Sequence, residues 1–313
     1  MSNFKKKKNV DKPGEDVVIL RQPPQNACGG TTVTQDRNAP TDIECREVIL
    51  FDAESALGMP SDEELKGRKE PLCFVSAFAA PAGGGSFVYY SSGRGFGRRR
   101  DKGSWALIGK DIFPELDGFV RKYDLARNNG FTHITHGLPE NFGGSISVDY
   151  SDGEKIRFSN NQSPVLKRSA GAELDAMFRG FLSCPRIAIP DAEDIVEILF
   201  EEIRDDGYTK ALCRINDDGT ATNIKDSKYG DSVYHSEKPV DAETVNAMIT
   251  NVKDTALLVW KDLPDSKFGW RREKTLAFRW RDGSEISTTD CKAVPDGLSR
   301  GFFNIELELA TKH

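Results

Sequence analysis

Hydrophobic residues recur at the spacing of a single helix face in two segments of the chain. The first segment, Asp111–Asn128, has Asp111 in a position to cap it and carries Ile112, Leu116, Phe119, Val120 and Tyr123. The second segment begins at Asp241 and carries Val245, Met248, Ile249 and Val252 at the same spacing. We therefore predict two amphipathic helices of the same type.

Short segments typical of strands surround both helices. Two precede the first helix and one follows it, and the same arrangement surrounds the second helix. They are Ser86–Ser91, Ser104–Ile108 and Thr132–His136 in the first copy, and Thr209–Ile215, Thr220–Ile224 and Ala256–Trp260 in the second. A hairpin built around Asp-Gly then follows, at Asp152-Gly153 and at Asp282-Gly283. Asp-Gly favours a type I′ turn, which needs positive φ at both central residues.

A short motif precedes each hairpin. Its shared residues are Leu138, Pro139, Phe142 and Gly143 in the first copy, and Leu263, Pro264, Phe268 and Gly269 in the second. Matched motifs in the same order indicate an internal duplication. We expect both phenylalanines to be at least partly buried beside the helix of their unit, with the following glycines letting the chain turn into the hairpin.

The complete pattern predicts an α+β fold made of two ββαβββα units, each an antiparallel sheet with helices on one face. Residues 1–45 are expected to form a mobile tail, 46–183 the first unit with extra N-terminal strands, and 184–313 the second unit. Asp191–Asp206 fits an acidic amphipathic helix at the start of the second unit. Residues 296–310 fit either a strand or a helix, and the repeat favours a helix.

Composition limits the class of protein more than it defines a function. The 313 residues include 18 Phe and carry a formal net charge of −6, which fits a soluble globular chain and not a broad phosphate-binding surface. The basic N-terminus lacks the apolar region of a secretory signal, and no run approaches the length of a membrane span. We therefore expect a cytoplasmic protein that does not bind membranes.

Sequence motifs for catalysis, cofactors or metals are not found. The six cysteines are scattered without a CxxC pair, and neither a nucleophile elbow nor a phosphate-binding loop occurs. His133 and His136 lie three apart in a predicted strand, so their side chains point to opposite faces and do not share a metal ion. We expect both histidines to be partly exposed and unliganded, and we assign no cofactor.

One loop concentrates positive charge between two predicted strands. It contains Arg94, Phe96, Arg98, Arg99 and Arg100. Arginines beside an aromatic ring suit single-stranded nucleic acid or an acidic protein surface. A solvated hairpin tip whose arginines pair with nearby carboxylates is the favoured interpretation of this loop.

One stretch of the first copy carries a resemblance. Gly137–Ser145 (GLPENFGGS), continued by the Asp-Gly hairpin and Ser159–Pro164 (SNNQSP), resembles a group of uncharacterised proteins from fermentative Gram-positive bacteria. The likeness covers roughly Asp111–Leu182, and the second copy lacks the Gly-Gly and Asn-Asn-Gln that carry it. The resemblance implies no function and assigns no catalytic residue.

These observations favour a non-catalytic binding or adaptor protein, with a protein partner or self-association. Two alternatives stay open. One is weak single-stranded nucleic-acid binding through loop 93–102. The other is a hydrolase or transferase that uses carboxylates between the two units.

Overall fold

The computed structural model describes residues 30–67, 70–94, 102–136, 142–266 and 274–311. These residues confirm an α+β fold. The chain divides into two compact units. The first unit comprises Met1–Ser76, Ser92–Asp101 and Ile112–Met177, and the second comprises Ala77–Ser91, Lys102–Asp111 and Phe178–His313. The second unit therefore takes two segments that precede residue 184 in the sequence.

The first sheet has eight strands and is accompanied by three helices. Its strands are β1 (Thr31–Gln35), β2 (Val48–Ala56), β3 (Leu72–Ala82), β4 (Gly85–Arg94), β5 (Ser104–Ile108), β6 (Phe131–Thr135), β7 (Gly144–Tyr150) and β8 (Lys155–Asn160). Its helices are α1 (Asp62–Lys66), α2 (Phe113–Lys122) and α3 (Arg168–Leu182). The strand order is β1-β6-β8-β7-β2-β3-β4-β5, and β6 pairs with β8 in parallel.

The second sheet has six strands. They are β9 (Ile195–Arg204), β10 (Gly207–Ile215), β11 (Ala221–Tyr229), β12 (Ser232–Val240), β13 (Lys274–Trp280) and β14 (Glu285–Thr289). The order is β12-β11-β10-β9-β13-β14, and each neighbouring pair is antiparallel. Helix α4 (Ala242–Asp254) follows β12, and α5 (Asp296–Glu306) follows β14. The helix predicted for residues 296–310 is thus confirmed over Asp296–Glu306.

The two sheets share a connectivity of six strands. In the first, four consecutive strands (β2 to β5) precede α2, and the hairpin β7–β8 then pairs beside β2. In the second, β9 to β12 precede α4, and the hairpin β13–β14 pairs beside β9. In the first half, β4 to α3 follow the predicted order ββαβββα, and β1 to β3 precede them. In the second half, four strands precede α4, and the described residues between α4 and the hairpin form no strand. A duplication stays a prediction, which superposition of the two halves would test.

The acidic helix predicted at Asp191–Asp206 is wrong, because Ile195–Arg204 forms the strand β9. Ile198, Phe200 and Glu202 alternate with more exposed residues, and the strand pairs with both β10 and β13. The spacing of several apolar residues in this segment fits both the periodicity of a helix and that of a strand. The segment forms a strand because β9 pairs with a neighbouring strand along both of its edges. This pairing satisfies the backbone hydrogen bonds of a strand in the middle of a sheet.

In the second unit, one strand prediction is wrong and one strand is not predicted. Ala256–Trp260 forms no strand. Ala256 has φ of +57°, and a short 3₁₀ turn begins at Trp260. Ser232–Val240, not predicted as a strand, forms β12 at the edge of the sheet. The pattern missed β12 because an edge strand lies largely in solvent and has no need of alternating hydrophobic residues.

The N-terminal region is not a mobile tail over its whole length. Strand β1 pairs with β6 from Thr31 opposite Thr135 to Gln35 opposite Phe131, and Ile43 is 4% exposed. These contacts anchor residues 31–43 to the first unit. Residues 1–29 of the predicted tail lie outside the described residues.

Both Asp-Gly hairpins form as predicted, but with a different turn. Gly153 has φ of +95° and Gly283 has φ of +86°, whereas the preceding aspartates do not have positive φ. Asp152 Oδ1 accepts a hydrogen bond from the backbone N–H of Glu154 at 2.9 Å, and Asp282 Oδ1 accepts from Ser284 at 2.8 Å. The turns are therefore aspartate-stabilised loops with one left-handed glycine, not type I′ turns.

Candidate binding groove in the second unit

The predicted Leu-Pro…Phe-Gly motif is described only in part. Leu138 and Pro139 lie outside the described residues, as do Phe268 and Gly269. Phe142 is 56% exposed, so the prediction of a partly buried ring is wrong for the first copy. In the second copy Leu263 is buried, and the carbonyl of Pro264 accepts a hydrogen bond from Ala293 at 2.8 Å.

The glycines after Phe142 serve close backbone packing. A Cβ on Gly143 would lie 1.6 Å from the carbonyl oxygen of Asn160, and one on Gly144 would lie 1.9 Å from that of Glu54. The side chain of Asn161 bonds to both the N–H and the carbonyl of Thr135, at 2.9 and 3.0 Å. The part of the Gly-Gly and Asn-Asn pattern that the structure describes therefore has a structural role.

The arginine-rich loop is also mostly outside the described residues, which include Arg94 but not Phe96, Arg98, Arg99 or Arg100. Arg94 lies at the end of β4 and pairs with Asp175 at 3.6 Å, and it donates to the carbonyl of Glu70 at 3.3 Å. This pairing agrees with an arginine that contacts a nearby carboxylate. It adds no support for nucleic-acid binding.

The two histidines have unequal environments. His133 is 2% exposed and its Nε2 lies 3.3 Å from Thr135 Oγ1, so the prediction of a partly exposed side chain is wrong for His133. His136 is exposed and contacts Thr32 Oγ1 at 3.2 Å. Over the described ranges, no group of three or more His, Cys, Asp and Glu residues is placed to hold a metal ion.

Helices of the described part of the chain are too short or too polar to cross a lipid bilayer.

A concave site lies within the second unit, beside helix α4. We call it the α4 groove. Its volume is about 790 Å³, and it is bounded by α4, the start of β9 and the ends of β10 and β13. This volume is in the range of small-ligand sites. Six apolar side chains line it: Ile195, Val245 and Trp280 are buried, and Val196, Ile215 and Ile249 are half-buried.

Charged residues form the rim of the α4 groove. Lys253 Nζ lies 2.5 Å from Glu193 Oε1 and 3.6 Å from Asp191 Oδ1, and Arg281 pairs with Asp217 at 2.8 Å. The lining holds four carboxylates (Glu193, Asp194, Asp217 and Asp282) against one lysine and one arginine. With these groups ionised, the lining has a formal charge of −2.

Hydrogen bonds fix the charge state of several rim groups. The N–H of Glu193 lowers the pKa of Asp191, and the hydroxyl and N–H of Ser284 lower the pKa of Asp282. Glu193 raises the pKa of Lys253 by accepting its hydrogen bond. These groups therefore stay charged at neutral pH.

Two polar residues of α4 face the groove without a hydrogen-bond partner among the described residues. Asn246 and Thr250 are both exposed and line the groove. An amide and a hydroxyl can each donate to or accept from a peptide backbone. They are therefore available to a bound segment of chain.

In the first unit, a segment of the protein's own chain lies beside helix α2. Ile43 is buried there, and its carbonyl accepts from Arg121 Nη1 at 2.9 Å. Arg121 Nη2 donates to the carbonyl of Cys45 at 2.6 Å, while Glu154 Oε2 accepts from the N–H groups of Glu44 and Cys45 at 3.0 and 2.9 Å. We call residues 40–46 the plug segment.

The correspondence between this place and the α4 groove follows from the matched helices. The apolar stripes align Val120 of α2 with Ile249 of α4, and this alignment places Arg121 opposite Thr250. Val120 is 2% exposed, whereas Ile249 is only half-buried. The difference is the one expected when a segment covers the first site and no described segment covers the second.

The sequence alone did not indicate the groove. Val245 and Ile249 share the apolar face of the predicted helix, and periodicity does not show whether that face is covered. Alignment of Arg121 with Thr250 is a signal in the sequence that the two helices differ beside the same apolar stripe.

Comparison with models of known protein families gives no match, and comparison with curated proteins gives none either. Any functional assignment therefore depends on the geometry of the site.

Proposed function

We propose that the protein is a non-catalytic binding module whose α4 groove holds a short segment of a partner protein. The observation that carries this proposal is the plug segment of the first unit. Ile43 and its neighbours fill the place beside α2 that corresponds to the α4 groove. A site that accommodates peptide in one unit supports peptide binding at its open counterpart.

The lining of the groove supports a peptide as the occupant. Ile249, Val196 and Ile215 are half-buried and offer apolar surface, while Asn246 and Thr250 offer hydrogen bonds to a backbone. Binding sites typically combine an apolar floor with a few polar groups that fix the orientation of the ligand.

The charge state of the rim favours binding over acid–base catalysis. The pKa values of Asp191 and Asp282 are lowered by hydrogen bonds, so these carboxyls hold no proton to donate at neutral pH. A general acid or base generally needs a pKa near the working pH. The groove therefore supports recognition better than proton transfer.

Selection from a random peptide display library against the full chain tests the proposal. We expect selected peptides to bind the wild type and to lose at least tenfold in affinity with Ile249→Arg and with Thr250→Trp. The first variant puts charge on the floor, and the second fills the groove from an exposed position without burying charge.

Ala247→Arg is the matched control, because Ala247 is exposed on the same helix and does not line the groove. Circular dichroism establishes that all three variants keep the wild-type helix content. Selected peptides that bind every variant equally, or a selection that enriches no peptide, would overturn the proposal.

A further inference from the structure

We infer that the segment held in the α4 groove is anchored by one branched aliphatic side chain and carries basic residues beside that anchor. This inference rests on the proposed function and adds the chemistry of the partner. It follows from how the plug segment sits in the first unit and from how the two sites differ in charge.

The anchor is inferred from the burial pattern of the plug segment. Ile43 is 4% exposed, whereas Asp42 and Glu44 on either side of it are exposed. One aliphatic side chain therefore enters the site. The apolar floor of the α4 groove, which includes Ile249 in place of Val120, offers the same type of surface.

The hold on the backbone of the segment is inferred from the contacts of Arg121. Arg121 binds the carbonyls of Ile43 and Cys45, which are two residues apart. A single side chain on the helix therefore binds two carbonyls of one segment.

In the α4 groove, neutral polar side chains stand where α2 has the charged Arg121. Thr250 stands where α2 has Arg121, and Asn246 lies one turn before Thr250. Neutral hydrogen bonds are roughly half as strong as charge-assisted ones. The plug segment belongs to the same chain and is bound by the guanidinium of Arg121. The neutral groups of the α4 groove bind more weakly, which suits reversible binding of a separate chain.

The charge of the groove lining indicates which residues should flank the aliphatic anchor of the bound segment. In the first unit, the guanidinium of Arg121 binds the plug segment at the carbonyls on either side of Glu44, so an acidic stretch of chain lies against a cationic side chain. The hydrogen bond to Asp117 is the main cause that raises the pKa of Arg121, and the charge of Asp42 adds a smaller effect. In the second unit, the lining carries a formal charge of −2 and the helix position is a neutral threonine. The complementary occupant is therefore basic, and its affinity falls as salt screens the rim.

Three peptides test the inference by isothermal titration against the full chain. The first has the sequence of residues 39–47 with Asp42→Lys, Glu44→Lys and Cys45→Ser. The second adds Ile43→Asp to the first. The third keeps Asp42 and Glu44 and carries Cys45→Ser alone.

We expect the first peptide to bind with an affinity at least tenfold higher than either of the others. Its binding should weaken as salt rises from 50 to 300 mM, and Thr250→Trp should abolish it while Ala247→Arg leaves it unchanged. Equal affinity of the first two peptides would overturn the aliphatic anchor. Equal affinity of the first and third peptides would overturn the basic flanks.

Comparison with the display selection separates this inference from the proposed function. If the three peptides fail to bind but selected peptides bind and depend on Thr250, the groove is a peptide site and the inferred chemistry is wrong. If neither set binds, both the inference and the proposed function are wrong.

Discussion

Arg121 on helix α2 holds Ile43 through its backbone, with 2.9 Å between Nη1 and the carbonyl oxygen. The same guanidinium donates from Nε to both carboxyl oxygens of Asp117, at 3.0 and 2.8 Å. Asp117 is 5% exposed. One side chain thus neutralises a buried carboxylate and fixes the plug segment. The aligned position of α4 is Thr250, which can do neither.

Replacing Arg121 should therefore destabilise the first unit strongly. Arg121→Met keeps the aliphatic stem but leaves Asp117 buried without its cation, and removal of one partner from a buried pair costs about 3–5 kcal/mol. Urea unfolding measures this loss as a lower transition midpoint. Arg281→Met is the control, because the pair between Arg281 and Asp217 is exposed and its loss should leave the midpoint unchanged. Equal effects of the two substitutions would contradict the structural role of Arg121.

The plug segment and the open groove should differ in how much one isoleucine contributes to stability. Ile43→Ala removes a buried side chain, and such truncations cost about 2–5 kcal/mol. Ile249→Ala truncates a side chain that is only half-buried, so its loss of unfolding free energy should be clearly smaller. Chemical denaturation of both variants checks the order. A larger loss for Ile249→Ala would mean that the α4 groove is covered in the folded protein.

Local sequence patterns correctly predicted the helices and hairpins whose formation depends on neighbouring residues. The stripe from Val245 to Val252 gave α4, and Asp152-Gly153 gave the hairpin between β7 and β8. β9 was mistaken for a helix because several apolar residues of Ile195–Arg204 fit both periods. Its partners β10 and β13 decided the outcome, and β13 begins 70 residues after Arg204.

The groove could not be predicted from the sequence for a related reason. Whether a helix face is open depends on a segment far along the chain, and Ile43 lies 78 residues before Arg121. Apolar periodicity assigns Val120 and Ile249 equally to the core. Only the fold shows that Ile249 is the less covered of the two.

Glycine substitutions should have opposite effects at two positions of the first unit. Gly143→Ala places a Cβ 1.6 Å from the carbonyl oxygen of Asn160, so the backbone must shift and the free energy of unfolding should fall. Gly118→Ala lies within α2 with no atom within 4 Å of the added Cβ, and alanine there should stabilise the helix by about 1 kcal/mol. Thermal unfolding measures both changes. A neutral Gly143→Ala would show that the residue before β7 and the end of β8 tolerate a wider separation.

The contact between Glu64 and Arg168 should lose its contribution to stability in acid. Arg168 donates to both carboxyl oxygens of Glu64, and Glu64 also accepts from the N–H of Ser61 at 2.8 Å. These bonds, with that of Arg168 the largest cause, lower the pKa of Glu64 to about 2 from an ordinary value of 4.5. Because the folded pKa is the lower one, the stabilisation is complete above pH 4.5 and disappears as the pH falls through about 2. Unfolding of wild type and Glu64→Gln should therefore differ at pH 6 and converge near pH 2, and a difference that persists at pH 2 would contradict the lowered pKa.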